Sequence, residues 1–161
     1  MNLQLTPNRP EEAMALMREV AGWYRDHGFR VWPDDWLTPQ ELFTGEAGPE
    51  NFYLGTVDGI PACAFILQWQ DREYWPQAPQ YEAGYLHKLC VRRAFAHQNM
   101  AAQVVEALKE ECRRHGARYL RLDTGYDEPA VREIYLTAGF EIVKTLEKNG
   151  QPVMLLYEMK L

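Results

Sequence analysis

Apolar positions along this chain change period, from alternation to a three- and four-residue spacing and back, and the changes mark out its elements. Leu3 and Leu5 alternate with Asn2 and Gln4, which predicts a short first strand. Ala13, Leu16, Met17, Val20 and Trp23 or Tyr24 then form the inner face of a helix running to about His27. Its start is signalled by Asn8-Arg9-Pro10-Glu11, with Asn8 as cap, proline in the first turn and a glutamate three residues past the cap. Gly28 signals its end. Thr38-Pro39-Gln40-Glu41 has the form of a second capping box and predicts a short helix stopping at Gly45.

From there strands dominate. Phe52 to Val57 and Ile60 to Gln70 are predicted partners, joined by a tight turn at Asp58-Gly59. A loop with two prolines, Asp71 to Gln80, leads to a strand from Tyr81 to Val91. From Met100 the helical spacing returns: Ala101, Val104, Val105, Leu108 and Cys112 line one face, and His115-Gly116 ends it after basic residues. Tyr119 to Asp123 alternates as a strand, a helix runs from about Pro129 to Gly139, and Phe140 to Thr145 pairs with Pro152 to Lys160 across an Asn149-Gly150 turn. The order β-α-α-β-β-β-α-β-α-β-β suits an α/β (α+β) fold with one mixed central sheet of about seven strands and helices on both faces.

Composition narrows the class. At 161 residues, without a repeat or a low-complexity linker, the expectation is a single domain over residues 1–161. Hydrophobic residues make up 47% and charged residues 25%, as in ordinary globular chains. A net charge of −6 and a pI near 5.2 argue against nucleic acid and anionic membrane surfaces as partners. No apolar stretch approaches a membrane span, and the N-terminus lacks the pattern of a signal peptide. Cys63, Cys90 and Cys112 are an odd, unpatterned set that suits a reducing cytoplasm, with Cys90 and Cys112 on apolar faces. No residues have metal-ligand spacing, so no metal is expected.

Candidate chemistry gathers where the strand ending at Val91 gives way to the helix beginning at Met100. The first four N–H groups of a helix lack intrahelical partners, and its dipole favours an anion there. A strand–loop–helix unit is therefore a ready phosphate site. The segment LCVRRAFAHQNMAAQVV, Leu89 to Val105, resembles the acyl-CoA-binding segment of the GNAT superfamily of N-acyltransferases, whose loop has the form Arg/Gln-x-x-Gly-x-Gly/Ala. Val91 matches its strand-end valine and Ala101 its last small residue. Ala96 stands where the family has Arg or Gln, Asn99 where it has glycine, and His97 where glycine is frequent. A second segment, EPAVREIYLTAGF from Glu128 to Phe140, resembles the family's later motif through Tyr135, Gly139 and Phe140. Glu128 stands where Asn is common there.

The resemblance implies an enzyme moving an acetyl group from acetyl-CoA to a primary amine of a small molecule or a peptide. The alternative is a non-catalytic acyl-CoA-binding or regulatory domain with a degenerate loop. In the family's fold the fourth and fifth strands splay apart around the acyl-CoA. On that pattern, Leu89, Cys90 and Val91 hold the pantetheine arm, Ala96, His97, Gln98, Asn99, Met100 and Ala101 hold the pyrophosphate, and Glu128 and Tyr135 also border the cofactor. Tyr135 is the implied acid that protonates the departing thiolate. Asparagine tolerates a left-handed backbone better than other non-glycine residues, so Asn99 can keep the loop's shape. For the base, His87 is the candidate, since an ordinary histidine titrates near neutrality, with Glu82 and Asp123 as competitors. Trp32 and Trp36 lie in a loop that no periodicity explains and are candidates to line the acceptor pocket. Arg92 and Arg93 are expected in solvent, with a second task near the cofactor's phosphates. The sequence leaves open the acceptor, the acyl length and whether the chain forms a homodimer.

Overall fold

A computed structural model describes residues 2–161. Seven strands form one mixed sheet: β1 (Leu3–Thr6), β2 (Phe52–Val57), β3 (Ile60–Gln68), β4 (Ala83–Val91), β5 (Tyr119–Gly125), β6 (Glu141–Lys148) and β7 (Gln151–Lys160). Their hydrogen-bonded order is β1-β2-β3-β4-β5-β7-β6. Four α-helices intervene: α1 (Pro10–Asp26), α2 (Pro39–Leu42), α3 (Met100–Arg114) and α4 (Pro129–Thr137). The described residues divide into two compact units, residues 2–68 with 88–100, and residues 69–87 with 101–161. No helix among the described residues is long and apolar enough to cross a membrane.

In the first unit, α1 buries Ala13, Met14, Leu16, Met17, Val20 and Ala21 against Phe52, Leu54, Ala64 and Ile66. Each large side chain so buried contributes about 1.5–3 kcal/mol. The β2–β3 turn has Asp58 at φ 51° and Gly59 at φ 78°, both left-handed, as a two-residue hairpin turn with matching twist requires. Two helix starts differ from the sequence pattern. Asn8 does not cap α1: it takes a left-handed turn at φ 61°, and Arg9 becomes the capping position, its N–H donating to the Phe52 carbonyl at 3.0 Å. Thr38 precedes α2, but its hydroxyl donates to the Asp35 carbonyl instead of capping. The helix then stops at Leu42, short of Gly45, because Phe43 is extended.

In the second unit, the start of β4 pairs with β5 in parallel, from Ala83↔Tyr119 to Leu86↔Leu122. This is the direction expected of strands joined through a helix. β5, β7 and β6 are antiparallel neighbours, and the β6–β7 turn has Asn149 and Gly150 at φ 53° and 76°. β4 begins at Ala83 and not at Tyr81: Tyr81 is left-handed, φ 67°, and its N–H turns to the Trp69 carbonyl at 2.9 Å. Along α3 the buried residues are Met100, Val104, Val105, Leu108 and Cys112; Ala101 is half-buried. Gly116 at φ 78° and Gly139 at φ 107° follow α3 and α4 as left-handed stops.

Candidate active site

The phosphate loop belongs to the first unit. Arg92 closes β4: its N–H donates to the Ala62 carbonyl at 2.8 Å, and its guanidinium grips Glu19 through Nε at 2.8 Å and Nη2 at 3.2 Å. Arg93 lies over the Trp23 ring, 3.8 Å from its centroid, and near Tyr24. Neither arginine is therefore simply solvated; both fasten the loop's entrance to α1. After a single turn, Arg93–Phe95, the backbone becomes left-handed twice, at His97 (φ 62°) and Asn99 (φ 56°). These are the two positions where glycine was expected from the loop pattern. Both side chains are exposed at the tip with Gln98, while Met100 is buried as α3 begins. Turns that bring left-handed residues into a loop let successive N–H groups converge on an anion.

Before that loop, β4 is interrupted. Its ladder with β5 ends at Leu86↔Leu122, although β4 runs on to Val91 and β5 to Gly125. Lys88 is left-handed, φ 57°, and a left-handed residue cannot continue a regular ladder. Leu89 and Val91 are half-buried and Cys90 is buried, its thiol pushed up to about 12 by burial. Cys90 therefore stays protonated and contributes packing and backbone, not nucleophilic chemistry.

The second unit brings titratable groups together where the β4–β5 ladder ends. His87 Nδ1 lies 3.5 Å from Asp123 Oδ1, and His87 Nε2 lies 3.2 Å from Asp71 Oδ2. Asp71 follows β3 and is 4% exposed. Its Oδ1 accepts the Tyr74 N–H at 3.3 Å and its own carbonyl accepts the Trp75 N–H at 2.9 Å. Burial alone would raise the Asp71 carboxyl; the His87 ring and the N–H groups of its turn outweigh burial and hold it below the ordinary value. Tyr74 is pushed up to about 12, first by burial and then by Asp123 and Glu73. Ligand atoms of Asp71, His87 and Asp123 lie within 4.8 Å of one another, so among the described residues this is a group that could approach a metal ion. The sequence concealed it, because residues so far apart show no ligand spacing.

Glu82, the other expected competitor for the base, is elsewhere employed. It pairs with Arg121 at 2.9 Å and Arg118 at 3.4 Å. Arg121, 6% exposed, also holds Glu158 at 2.8 Å and donates to the Tyr85 hydroxyl at 2.9 Å. Tyr135 is half-buried on α4, with Phe140 at 5.8 Å and Tyr157 at 6.0 Å packed edge-on to its ring. Glu128 is the capping position of α4 and accepts the Gly125 N–H at 2.7 Å, closing the turn out of β5. Trp32, in the first unit, is half-buried against the α1 core with Lys88 Nζ 4.9 Å from its ring centroid; Trp36 is 56% exposed. Asp71 is the residue that sequence reasoning missed: it sits in a loop, where no periodicity marks a position.

Residues 17–140 match the model of the Acetyltransferase (GNAT) family. An uncharacterised N-acetyltransferase of Bacillus subtilis strain 168, YesJ, is 28% identical over 140 residues, 83% of this chain and 77% of that one. A GNAT-family acetyltransferase of Listeria monocytogenes 4b F2365 superposes with a TM-score of 0.74 at 21% identity, covering 99% of this chain and 95% of that one. The NatC complex bound to Gag peptide and CoA gives a TM-score of 0.62 at 16% identity, covering 100% and 99%.

Proposed function

This chain belongs to the acetyltransferase (GNAT) family, and from that premise we propose that it moves an acetyl group from acetyl-CoA to the primary amine of a small molecule or a peptide. The observation that carries the proposal is the loop before α3. His97 and Asn99 replace glycines, yet both keep the left-handed backbone that glycine would supply. A loop that has lost its task has no reason to retain two unfavourable conformations at an exposed tip.

On this reading, backbone groups of Leu89 and Val91 hold the pantetheine arm, and N–H groups from Ala96 to Ala101 hold the pyrophosphate. Tyr135 donates its phenolic proton as the thioester's sulfur gains charge, and His87 takes the proton of the incoming amine. Trp32 and Trp36 border the acceptor. The NatC complex, which has a similar fold, is bound to a peptide and CoA, and this supports including a peptide among the acceptors. The three free cysteines, all buried, suit a reducing cytoplasm.

The test is thiol release from acetyl-CoA with a panel of an alkylamine, a diamine, an amino acid and a peptide with a free N-terminus. Turnover with a member of the panel is expected. Tyr135→Phe keeps the ring and its edge contacts, so it should lower kcat by roughly 10²-fold, the low end for loss of a general acid, and leave the CoA dissociation constant unchanged. Binding of CoA without release of thiol from any acyl-CoA would make the chain a binder, and an unchanged kcat in Tyr135→Phe with chemistry limiting would remove the phenol from the mechanism.

A further inference from the structure

Resting on the acetyl-transfer reading, we propose that Asp71 positions His87, holding its ring proton on Nε2, so that Nδ1 accepts a proton from an acceptor ammonium bound to the Asp123 carboxylate. The Asp71 side chain is 6% exposed, against 18% for His87 and 15% for Asp123. Asp71 is thus a buried partner behind the ring, and Asp123 is the carboxylate that an incoming molecule can meet. Asp71 cannot swing away: the Tyr74 N–H holds its Oδ1 and the Trp75 N–H holds its carbonyl. Its Oδ2 is buried and has no aligned hydrogen bond among the described residues; His87 Nε2, at 3.2 Å, is set beside it. A buried carboxylate oxygen without a donor is unfavourable, so the ring proton belongs on Nε2.

A neutral imidazole carries one N–H. With that proton on Nε2, Nδ1 presents a lone pair to Asp123 Oδ1 at 3.5 Å. An alkylammonium has three N–H groups to offer. One binds Asp123 and a second points at Nδ1. The N–H bond to the ring breaks, an Nδ1–H bond forms, and the electron pair stays on the amine nitrogen, which attacks the thioester carbonyl. The resulting imidazolium has a carboxylate at each nitrogen until it returns its proton to water. Tyr74 and Tyr85 also face the aspartates, with Glu73 beside Tyr74, and Glu82 and Arg121 beside Tyr85. Burial pushes both phenols up, Tyr74 to about 12, so they remain neutral beside the two aspartates. An acceptor with a carboxylate beside its amine would meet both of them, so amines lacking an α-carboxylate are the favoured class.

The experiment is long-range ¹H–¹⁵N NMR of the His87 ring in the full chain, raised in pH until its nitrogen shifts stop moving, joined to kinetics with acetyl-CoA and the amine panel. The wild-type ring should carry its proton on Nε2. Asp71→Asn, whose amide can donate to Nε2, should move the proton to Nδ1 and lower kcat by ~10²–10⁴-fold with the acetyl-CoA KM unchanged. Asp123→Asn should leave the tautomer alone and raise the amine KM. A wild-type Nδ1–H ring overturns the proposal without any variant. So does an Asp71→Asn protein with unaltered tautomer and kcat, and so does an Asp123→Asn protein with unaltered amine KM. If no amine turns over in wild type while the ring still switches in Asp71→Asn, acetyl transfer fails and the positioning by Asp71 stands.

Discussion

Asn99 gives the sharpest handle on the loop. It is exposed at the tip and held at φ 56°, so replacing it changes backbone preference more than packing. Asparagine accepts this conformation because its short polar side chain bonds locally; an ordinary L residue there costs about 1–2 kcal/mol, and a β-branched one is a clear outlier. In Asn99→Val the free loop should relax away from the left-handed form, and CoA must then select a minor state. If the competent form is disfavoured by ~1–2 kcal/mol, the apparent dissociation constant rises by ~5–30-fold. Asn99→Gly removes the penalty, so its affinity should equal or exceed that of wild type. Calorimetric titration of CoA into the three proteins measures this, with thermal melts showing that the fold is unaltered. Equal affinities in the valine and glycine variants would refute the link between loop shape and binding.

Other perturbations test packing and charge. An alanine at Gly55 would place its Cβ 2.4 Å from Cys63 Sγ and 3.2 Å from Leu3 Cδ1, so Gly55→Ala should cost ~1–3 kcal/mol, measured by urea unfolding. Adding Cys63→Ala should return part of that loss, and strictly additive effects would show that the two sites do not clash. Arg121→Met leaves Glu82 and Glu158 without their shared cation at a site whose arginine side chain is 7% exposed, and should cost ~3–5 kcal/mol. Following it with Glu158→Gln should restore some of the stability. Asp71 is held below its ordinary value of 3.8, so it stabilises the fold at pH values above 3.8 and that contribution disappears as pH falls through the lower, folded value. Asp71→Asn should therefore flatten the acid limb of a stability–pH curve, and an unchanged limb would mean the carboxyl is not stabilised by folding.

Much of the fold was legible because local chemistry and global structure agree. Each hairpin turn is an Asx-Gly pair, Asp58-Gly59 and Asn149-Gly150, and both adopt the left-handed conformations that such pairs favour. The apolar stripe on α1 and the apolar face of α3 emerged nearly as spaced in the sequence. The misplacements are all at ends, where one residue serves two masters. Asn8 is equally suited to capping a helix and to turning left-handed, and the bond from the Arg9 N–H to Phe52 goes with the turn. Tyr81 looks like a strand residue by type, yet its left-handed backbone and its N–H bond to the Trp69 carbonyl make it the corner before β4.

The site was less legible for a different reason: its geometry is set by register, which depends on pairing between distant segments. His87 and Asp123 occupy the position immediately after the last paired residues, Leu86 and Leu122. A one-residue slip of that ladder would send one of them to the other face of the sheet. The same register explains the partner that Glu82 finds. Tyr85 lies opposite Arg121, and Arg121 lies opposite Glu158, so one row across β4, β5 and β7 carries a phenol, a guanidinium and a carboxylate. Glu82 completes that row's charge balance by pairing with Arg121. His87 and Asp123 sit two residues further along the same strands, hence on the same face. With Arg121's charge engaged by Glu82 and Glu158, the aspartates Asp71 and Asp123 face the imidazole as its immediate charged neighbours. The strand ends therefore separate a row in which Arg121 is engaged by two glutamates from a row in which two aspartates flank the imidazole.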